Sequence, residues 1–218
     1  MSRYADREQA GRRLAHALGH YAGRPDVIIL GLPRGGVLVA AEVATSLQAP
    51  LDVFTVRKLG VPWNRELAVG AIASGEVAVF DRDAMQQLGI TMADMADVIA
   101  HEERELARRD ALFRGGRGPL ALNERTVIVV DDGLATGATM TAAVDAIRTL
   151  GATRIVAAVP VASESACDAM RARADECVCL EVPAPFYGVG YWYDDFHDVS
   201  DAEVLAVLAE HPPTPHPA

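Results

Sequence analysis

Three short runs of nearly uninterrupted apolar residues, DVIILGL (26–32), VIVV (127–130) and TRIVAAVPV (153–161), constrain this chain more than any other feature. In a strand with one wet face, polar and apolar side chains alternate, because successive residues point to opposite sides. Runs without that alternation belong to strands covered on both faces, as in the parallel sheets of α/β proteins. LDVFTVRKL (51–59) and ECVCLEV (176–182) read as further strands. Helical stretches lie between them: VLVAAEVATSL (37–47), about 138–150, SESACDAMRARA (163–174) with Ser163 as N-cap, and SDAEVLAVLAE (200–210) capped by Ser200. Residues 4–21 place Ala10, Leu14, Ala17, Leu18 and Tyr21 at helical spacing, and Gly23 follows as a stop. Alternation of this kind predicts an α/β fold with a doubly wound, mainly parallel sheet.

Two stretches interrupt the pattern. Residues 60–80 scatter Gly60, Pro62, Gly70 and Gly75 among short β-prone pieces, which predicts a loop or hairpin excursion. Residues 91–113 form a long, charge-laced helix in which Glu105 precedes Arg108 and Arg109 by three and four positions. Its HEERELARR surface reads as solvated or subunit-facing, and Gly115, Gly116, Gly118 and Pro119 end it. The expected organisation is therefore a core over 1–175 containing a helical insertion at 82–118, a small C-terminal hood with the last helix over 176–210, and a disordered tail at 211–218.

Half of the 218 residues are apolar and 23% are charged, enough for a sizeable core. A net charge of −10 argues against electrostatic binding to nucleic acid or an anionic membrane, since there is no positive excess to release counterions. No apolar run is long enough to span a bilayer, and MSRYADREQAGRR lacks a leader's apolar segment, so a cytoplasmic chain is expected. The three cysteines, Cys167, Cys177 and Cys179, read as buried thiols rather than a disulfide or metal site. The six histidines have no ligand spacing, and no serine lies in a G-x-S-x-G elbow.

In doubly wound sheets, ligands bind at the carboxyl ends of the strands. Three unusual segments fall there: PRGG (33–36), VRK (56–58) and DDGLATGAT (131–139). Asp131 and Asp132 repel each other and are costly to desolvate, so the pair needs a compensating partner or a task. The turn Thr136-Gly137-Ala138-Thr139 offers backbone N–H groups at a helix N-terminus plus two hydroxyls, an anion site suited to phosphate. It matches neither the P-loop nor G-x-G-x-x-G. Two carboxylates beside a phosphate turn suit a ribose 5-phosphate, whose vicinal hydroxyls donate to them, and a divalent cation would offset their repulsion.

VIVVDDGLATGAT resembles the ribose-phosphate signature of type I phosphoribosyltransferases: apolar strand, two acids, then a loop ending in Thr-Gly-x-Thr. LPRGG (32–36) stands where that family carries its pyrophosphate loop, and DVFTVRKLGVP (52–62) resembles the Val-Arg-Lys segment that opens the mobile loop of adenine phosphoribosyltransferases. DDGLATGATM together with FYGVGYWYDDFHDVSD is similar to bacterial phosphoribosyltransferases of unassigned substrate. The resemblance implies that Asp131 and Asp132 bind the ribose hydroxyls and reach Mg2+ mainly through water. It implies that Ala135, Thr136, Gly137, Ala138 and Thr139 bind the 5-phosphate, that Arg34, Gly35 and Gly36 bind pyrophosphate, and that Arg57 and Lys58 contact the phosphates of 5-phosphoribosyl-1-pyrophosphate. Closure of 59–76 would exclude water, with Glu66 as a candidate for proton handling. Ala135 stands where hypoxanthine-guanine enzymes carry an acid, which disfavours a 6-oxopurine acceptor. The aromatic cluster at 186–196 is either the core of a cap or a hood in which Phe186 or Tyr187 stacks on a nucleobase. A homodimer would fit the fold and the long helix. The expected activity is Mg2+-dependent phosphoribosyl transfer to a nitrogenous base; the alternative is a non-catalytic regulator sensing the same ligand.

Overall fold

In the computed structural model, which describes residues 3–115 and 117–212, the apolar runs lie side by side. Strands β1 (Val27–Gly31), β2 (Leu51–Val53), β6 (Thr126–Val130), β7 (Arg154–Val161) and β8 (Glu176–Glu181) form a five-stranded sheet in the order β2-β1-β6-β7-β8. Every pair in it is parallel. Val27, Ile29, Ile128 and Val130 pack on one face among α1 (Arg7–Ala17), α2 (Gly35–Leu47) and α7 (Asp201–Glu210). Their sequence neighbours Leu30, Val127 and Val129 pack on the other face, under α5 (Ala138–Thr149) and α6 (Glu164–Arg171). Both parities are buried, which is why the runs carry no polar alternation. Each such side chain contributes about 1.5–3 kcal/mol of burial, so the central strands anchor whatever their tips present.

The caps follow the sequence. Ser163 Oγ accepts from Ala166 N, and Ser200 forms a reciprocal capping box with Glu203. Asp6 caps α1 by accepting from Gln9 N. On α1, Ala17 is exposed, whereas Arg7 is buried in line with Ala10 and Leu14.

LDVFTVRKL is two strands rather than one. Leu51–Val53 pairs with β1, but β3 (Val56–Val61) pairs antiparallel with β4 (Asn64–Ala73), which pairs with β5 (Val77–Phe80). The chain changes sheets at Phe54 and Thr55: Phe54 N still donates to Gly31 O, while Thr55 N donates to Ser74 Oγ and Ser74 N to Thr55 O. The excursion at 60–80 is thus a hairpin with a third strand. Helices α3 (Arg82–Leu88) and α4 (Ala96–Arg114) close over it around Leu59, Val61, Val69, Ile72, Met85, Ile90, Met95 and Leu106. Insertion and hairpin share this small core. Helix α4 is not merely solvated, since Glu102, Leu106 and Phe113 form a buried stripe along it.

The hood boundary also moves. Glu176–Glu181 is the edge strand of the main sheet, and α7 packs on the main core through Val204 and Leu208, leaving 182–199 as the hood. Chain start and hood are stitched together: Tyr4 N donates to Trp192 O, Asp194 N to Tyr4 O, and Asp195 N to Ala5 O. Of the expected tail, His211 is held by Arg117, which donates to its carbonyl at 2.7 Å. Residues 213–218, and Gly116, lie outside the described residues. Among the described residues no helix is long and apolar enough to cross a membrane.

Candidate active site

Strand β6 ends at Val130, and the next two residues are the acid pair. Asp131 Oδ1 accepts from Asp132 N at 2.9 Å, and its other oxygen has no hydrogen-bond partner among the described residues. Asp132 points its carboxylate at Arg7, whose Nε lies 2.9 Å from Oδ2. Arg7 is 6% exposed; it donates to His197 O at 3.0 Å and lies 4.1 Å over the Phe196 ring. Tyr193 donates its hydroxyl to Asp132 O at 2.7 Å. Burial and the Asp132 charge push the Asp131 carboxyl well above the usual carboxylate range. Burial raises Asp132 too, opposed by the Arg7 guanidinium. Two carboxyls face one guanidinium, so Asp131 is the uncompensated member, and a hard cation bridged by water fits that donor set.

The bend after the pair is open. Leu134 N is taken by Val161 O and Ala138 N makes a long contact of 3.4 Å with Thr136 Oγ1. The amides of Ala135, Thr136, Gly137 and Thr139 have no hydrogen-bond partner among the described residues. Gly137 caps α5 at φ 73°, a conformation that favours glycine, and no side chain caps that terminus. Ala135, Thr136, Ala138 and Thr139 are exposed. From behind, α6 supports the bend: Ser163 Oγ donates to Ala135 O at 2.7 Å.

PRGG folds onto the acid pair. A Cβ on Gly36 would fall 2.7 Å from Val130 O and 2.8 Å from Asp131 Cα, and one on Gly35 would overlap Asp132 Oδ2 and crowd Arg7 Nε. Only glycines allow this approach. The Pro33–Arg34 peptide is cis. Arg34 is half-exposed, 3.9 Å from Asp201.

The other basic residues come from the hairpin. Arg57 donates from Nε to Glu102 Oε2 at 2.7 Å and also pairs with it through a second nitrogen. Lys58 lines one cleft of about 560 Å³ with Ala138 and Thr141 of α5. It also lines another of about 470 Å³ with Arg57 and Glu66. Arg109 of α4 has its guanidinium pushed down by burial and then by the Arg57 charge, with Arg34 adding a smaller push. Glu66 lies in that second cleft, which the acid pair does not line. Phe186 packs into the hood core with Tyr4 and Tyr193, whereas Tyr187 is 68% exposed, its ring 4.9 Å from that of Tyr191. Val189 covers Gly133, so the hood rests on the strand tip.

Arg7 and Arg109 are absent from the sequence-derived set. Both stand on apolar stripes, Arg7 three before Ala10 and Arg109 three after Leu106. A charge in a buried register was the available signal.

A family model described as phosphoribosyl transferase domain matches residues 2–195. The chain belongs to this family. Two Mycobacterium tuberculosis proteins with phosphoribosyl transferase in their names, from strains CDC 1551 and H37Rv, are each 47% identical over 208 residues. The match covers 95% of this chain and 47% of theirs, so the chain spans about half the length of these curated relatives. The crystal structure of TT1426 from Thermus thermophilus superposes with a TM-score of 0.87 at 42% identity, covering 96% of this chain and 99% of that one. The resemblance read from the motifs holds for family and fold.

Proposed function

We propose that this chain transfers the 5-phosphoribosyl group of 5-phosphoribosyl-1-pyrophosphate to a nitrogenous base and releases pyrophosphate, using Mg2+. The observation that carries this reading is the acid pair at a buried strand tip, with an amide-rich bend open on one side and a glycine pair folded against the other. The bond from C1 to the diphosphate oxygen breaks, its electron pair leaving with oxygen; a base nitrogen bonds to C1 and gives up a proton. The open amides at Ala135–Gly137 and Thr139 hold the 5-phosphate at the N-terminus of α5. Asp131 and Asp132 accept from the ribose hydroxyls and would hold Mg2+ mainly through water, an ion that supplies positive charge against the departing diphosphate.

Arg34, Gly35 and Gly36 take the diphosphate at the start of α2, with Arg57 and Lys58 closing from the hairpin. Arg57 must exchange Glu102 for the phosphates, which couples its use to movement of 59–76. Tyr187, exposed in the hood, is the ring available to a base, while Phe186 holds the hood together. Glu66, in a cleft that the acid pair does not line, would reach the base's proton through closure of 59–76. A cytoplasmic homodimer belongs to the same reading.

Isothermal titration with 5-phosphoribosyl-1-pyrophosphate and Mg2+, followed by pyrophosphate release across a panel of bases, tests the proposal. Binding with base-dependent release supports it. Absence of binding ends it, and binding without release for any base points to a ligand-sensing regulator.

A further inference from the structure

The three cysteines, expected as buried thiols rather than a disulfide or metal site, converge on one point. Cys177 and Cys179 are two apart on β8 and so share a face. That face lies under α6, from which Cys167 projects. The three sulfurs lie within 4.8 Å of one another: Cys167 to Cys179 is 2.7 Å and Cys177 to Cys179 is 3.5 Å. Cys167 is buried, whereas Cys177 and Cys179 are half-buried, so the cluster is open on its strand side. No histidine or carboxylate joins it among the described residues.

Packing alone needs no such convergence, because a thiol in a core behaves as a small apolar group and its partners need not be sulfur. A disulfide accounts for only part of it. Cβ atoms two apart on a strand are separated by about 6.6 Å, beyond the 3.5–4.5 Å that a disulfide spans. Cys177 and Cys179 therefore cannot bridge to each other, and a bridge to Cys167 leaves one thiol over. A single soft cation uses all three. With metal–sulfur bonds of about 2.3 Å, ligand sulfurs stand about 3.8–4.0 Å apart. Cys177 and Cys179 are close to that spacing, and Cys179 and Cys167 reach it by opening about 1 Å.

We propose that Cys167, Cys177 and Cys179 form a three-thiolate site for a soft d10 cation, Cu(I) in trigonal coordination or Zn(II) completed by one exogenous ligand. The site is separate from the strand-tip machinery, and the proposal does not depend on the transferase reading. It joins that machinery mechanically, because α6 also carries the supports of the phosphate bend: Ser163 at its N-cap and Ala166, whose Cβ lies 3.4 Å from where a Gly137 Cβ would be. An ion clamping α6 to β8 would stiffen the bend from behind.

The test uses the full chain, reduced and anaerobic, titrated separately with Cu(I) and Zn(II) against a chromophoric chelator, with no sugar phosphate present. The expected result is uptake of one equivalent, protection of all three thiols from alkylation and a raised melting temperature. Uptake of Cu(I) alone identifies the trigonal form; uptake of Zn(II) identifies a fourth, exogenous ligand. Cys177→Ser, at a half-buried position, should keep the melting temperature of the ion-free chain and lose more than about 100-fold in affinity, beyond the 10–100-fold an outer-shell partner carries. Failure of the wild-type chain to retain either ion overturns the proposal. So does unchanged affinity in Cys177→Ser, or thiol loss as a two-hydrogen mass decrease with no ion retained.

Discussion

The tip of the parallel sheet and the antiparallel hairpin both offer charged groups to the candidate site, but only the tip holds them by packing. Asp131 and Asp132 follow five buried residues of β6, with Arg7 locked against Asp132 and Phe196. Arg57, Lys58 and Glu66 project from strands whose outer residues, 64–68, are all exposed. Among the described residues the Arg57 guanidinium is held by its pairing with Glu102. One half is set by packing; under the proposed reaction the other half exchanges partners when the ligand arrives. A packed charge is costly to remove for stability, and a swinging charge is costly to remove only for the reaction.

The sharpest way to break this comparison is to remove Asp132, whose side chain is 16% exposed and paired with the Arg7 side chain, itself 7% exposed. Asp132→Asn leaves that guanidinium without its ion, and stability should fall by about 3 kcal/mol. In a chain of this size that is roughly a 10 °C drop in melting temperature, read by calorimetry. A melting temperature within about 2 °C of wild type, less than 1 kcal/mol on the same scale, would remove Arg7 from the tip's architecture.

Asp131→Asn should separate function from stability. Transfer should fall by at least about 100-fold, as for loss of a group facing the reacting charge, while the melting temperature holds or rises. The pH dependence follows from the raised pKa. The folded state holds this proton more tightly than the unfolded chain, so the stability contribution is full below the unfolded carboxylate range near pH ~4. It is lost as pH rises through the higher folded value. Wild-type stability should therefore decline over that interval more steeply than that of Asp131→Asn, as urea midpoints at stepped pH would show.

On the hairpin side, Arg57→Ala should cost roughly tenfold in kcat/KM, the scale of one charge-assisted contact, with a smaller loss of stability than Asp132→Asn. Equal losses of stability would mean that the hairpin is as fixed as the tip. Smallest is Tyr187→Ala: a few-fold rise in KM for the base, scaled to about 1 kcal/mol of ring stacking. The affinity for the sugar diphosphate and the melting temperature should not change.

How much of this was legible in the sequence divides along the same line. Strands with both parities buried announce a parallel sheet, and a strand followed by two acids and a glycine turn announces its tip. Both signals are local. The break at Phe54 is not, because LDVFTVRKL has one uniform pattern and the change of sheet depends on Ser74 meeting Thr55 from nineteen positions away. Arg7 finds Asp132 across 125 positions and Arg57 finds Glu102 across 45, and no period encodes such pairings. What the sequence did carry was the misplaced charge itself, an arginine where the stripe called for an aliphatic side chain.

The stitch between Tyr4 and residues 192–194 sets an order for biosynthesis. At about 5–20 residues per second, Tyr4 is joined to the chain on the order of ten to forty seconds before Trp192 and Asp194 are made to meet it. A nascent chain stopped at α6 has four of its five parallel strands, yet Arg7 still waits for Phe196 and the His197 carbonyl. Premature termination there would leave the pocket unfinished.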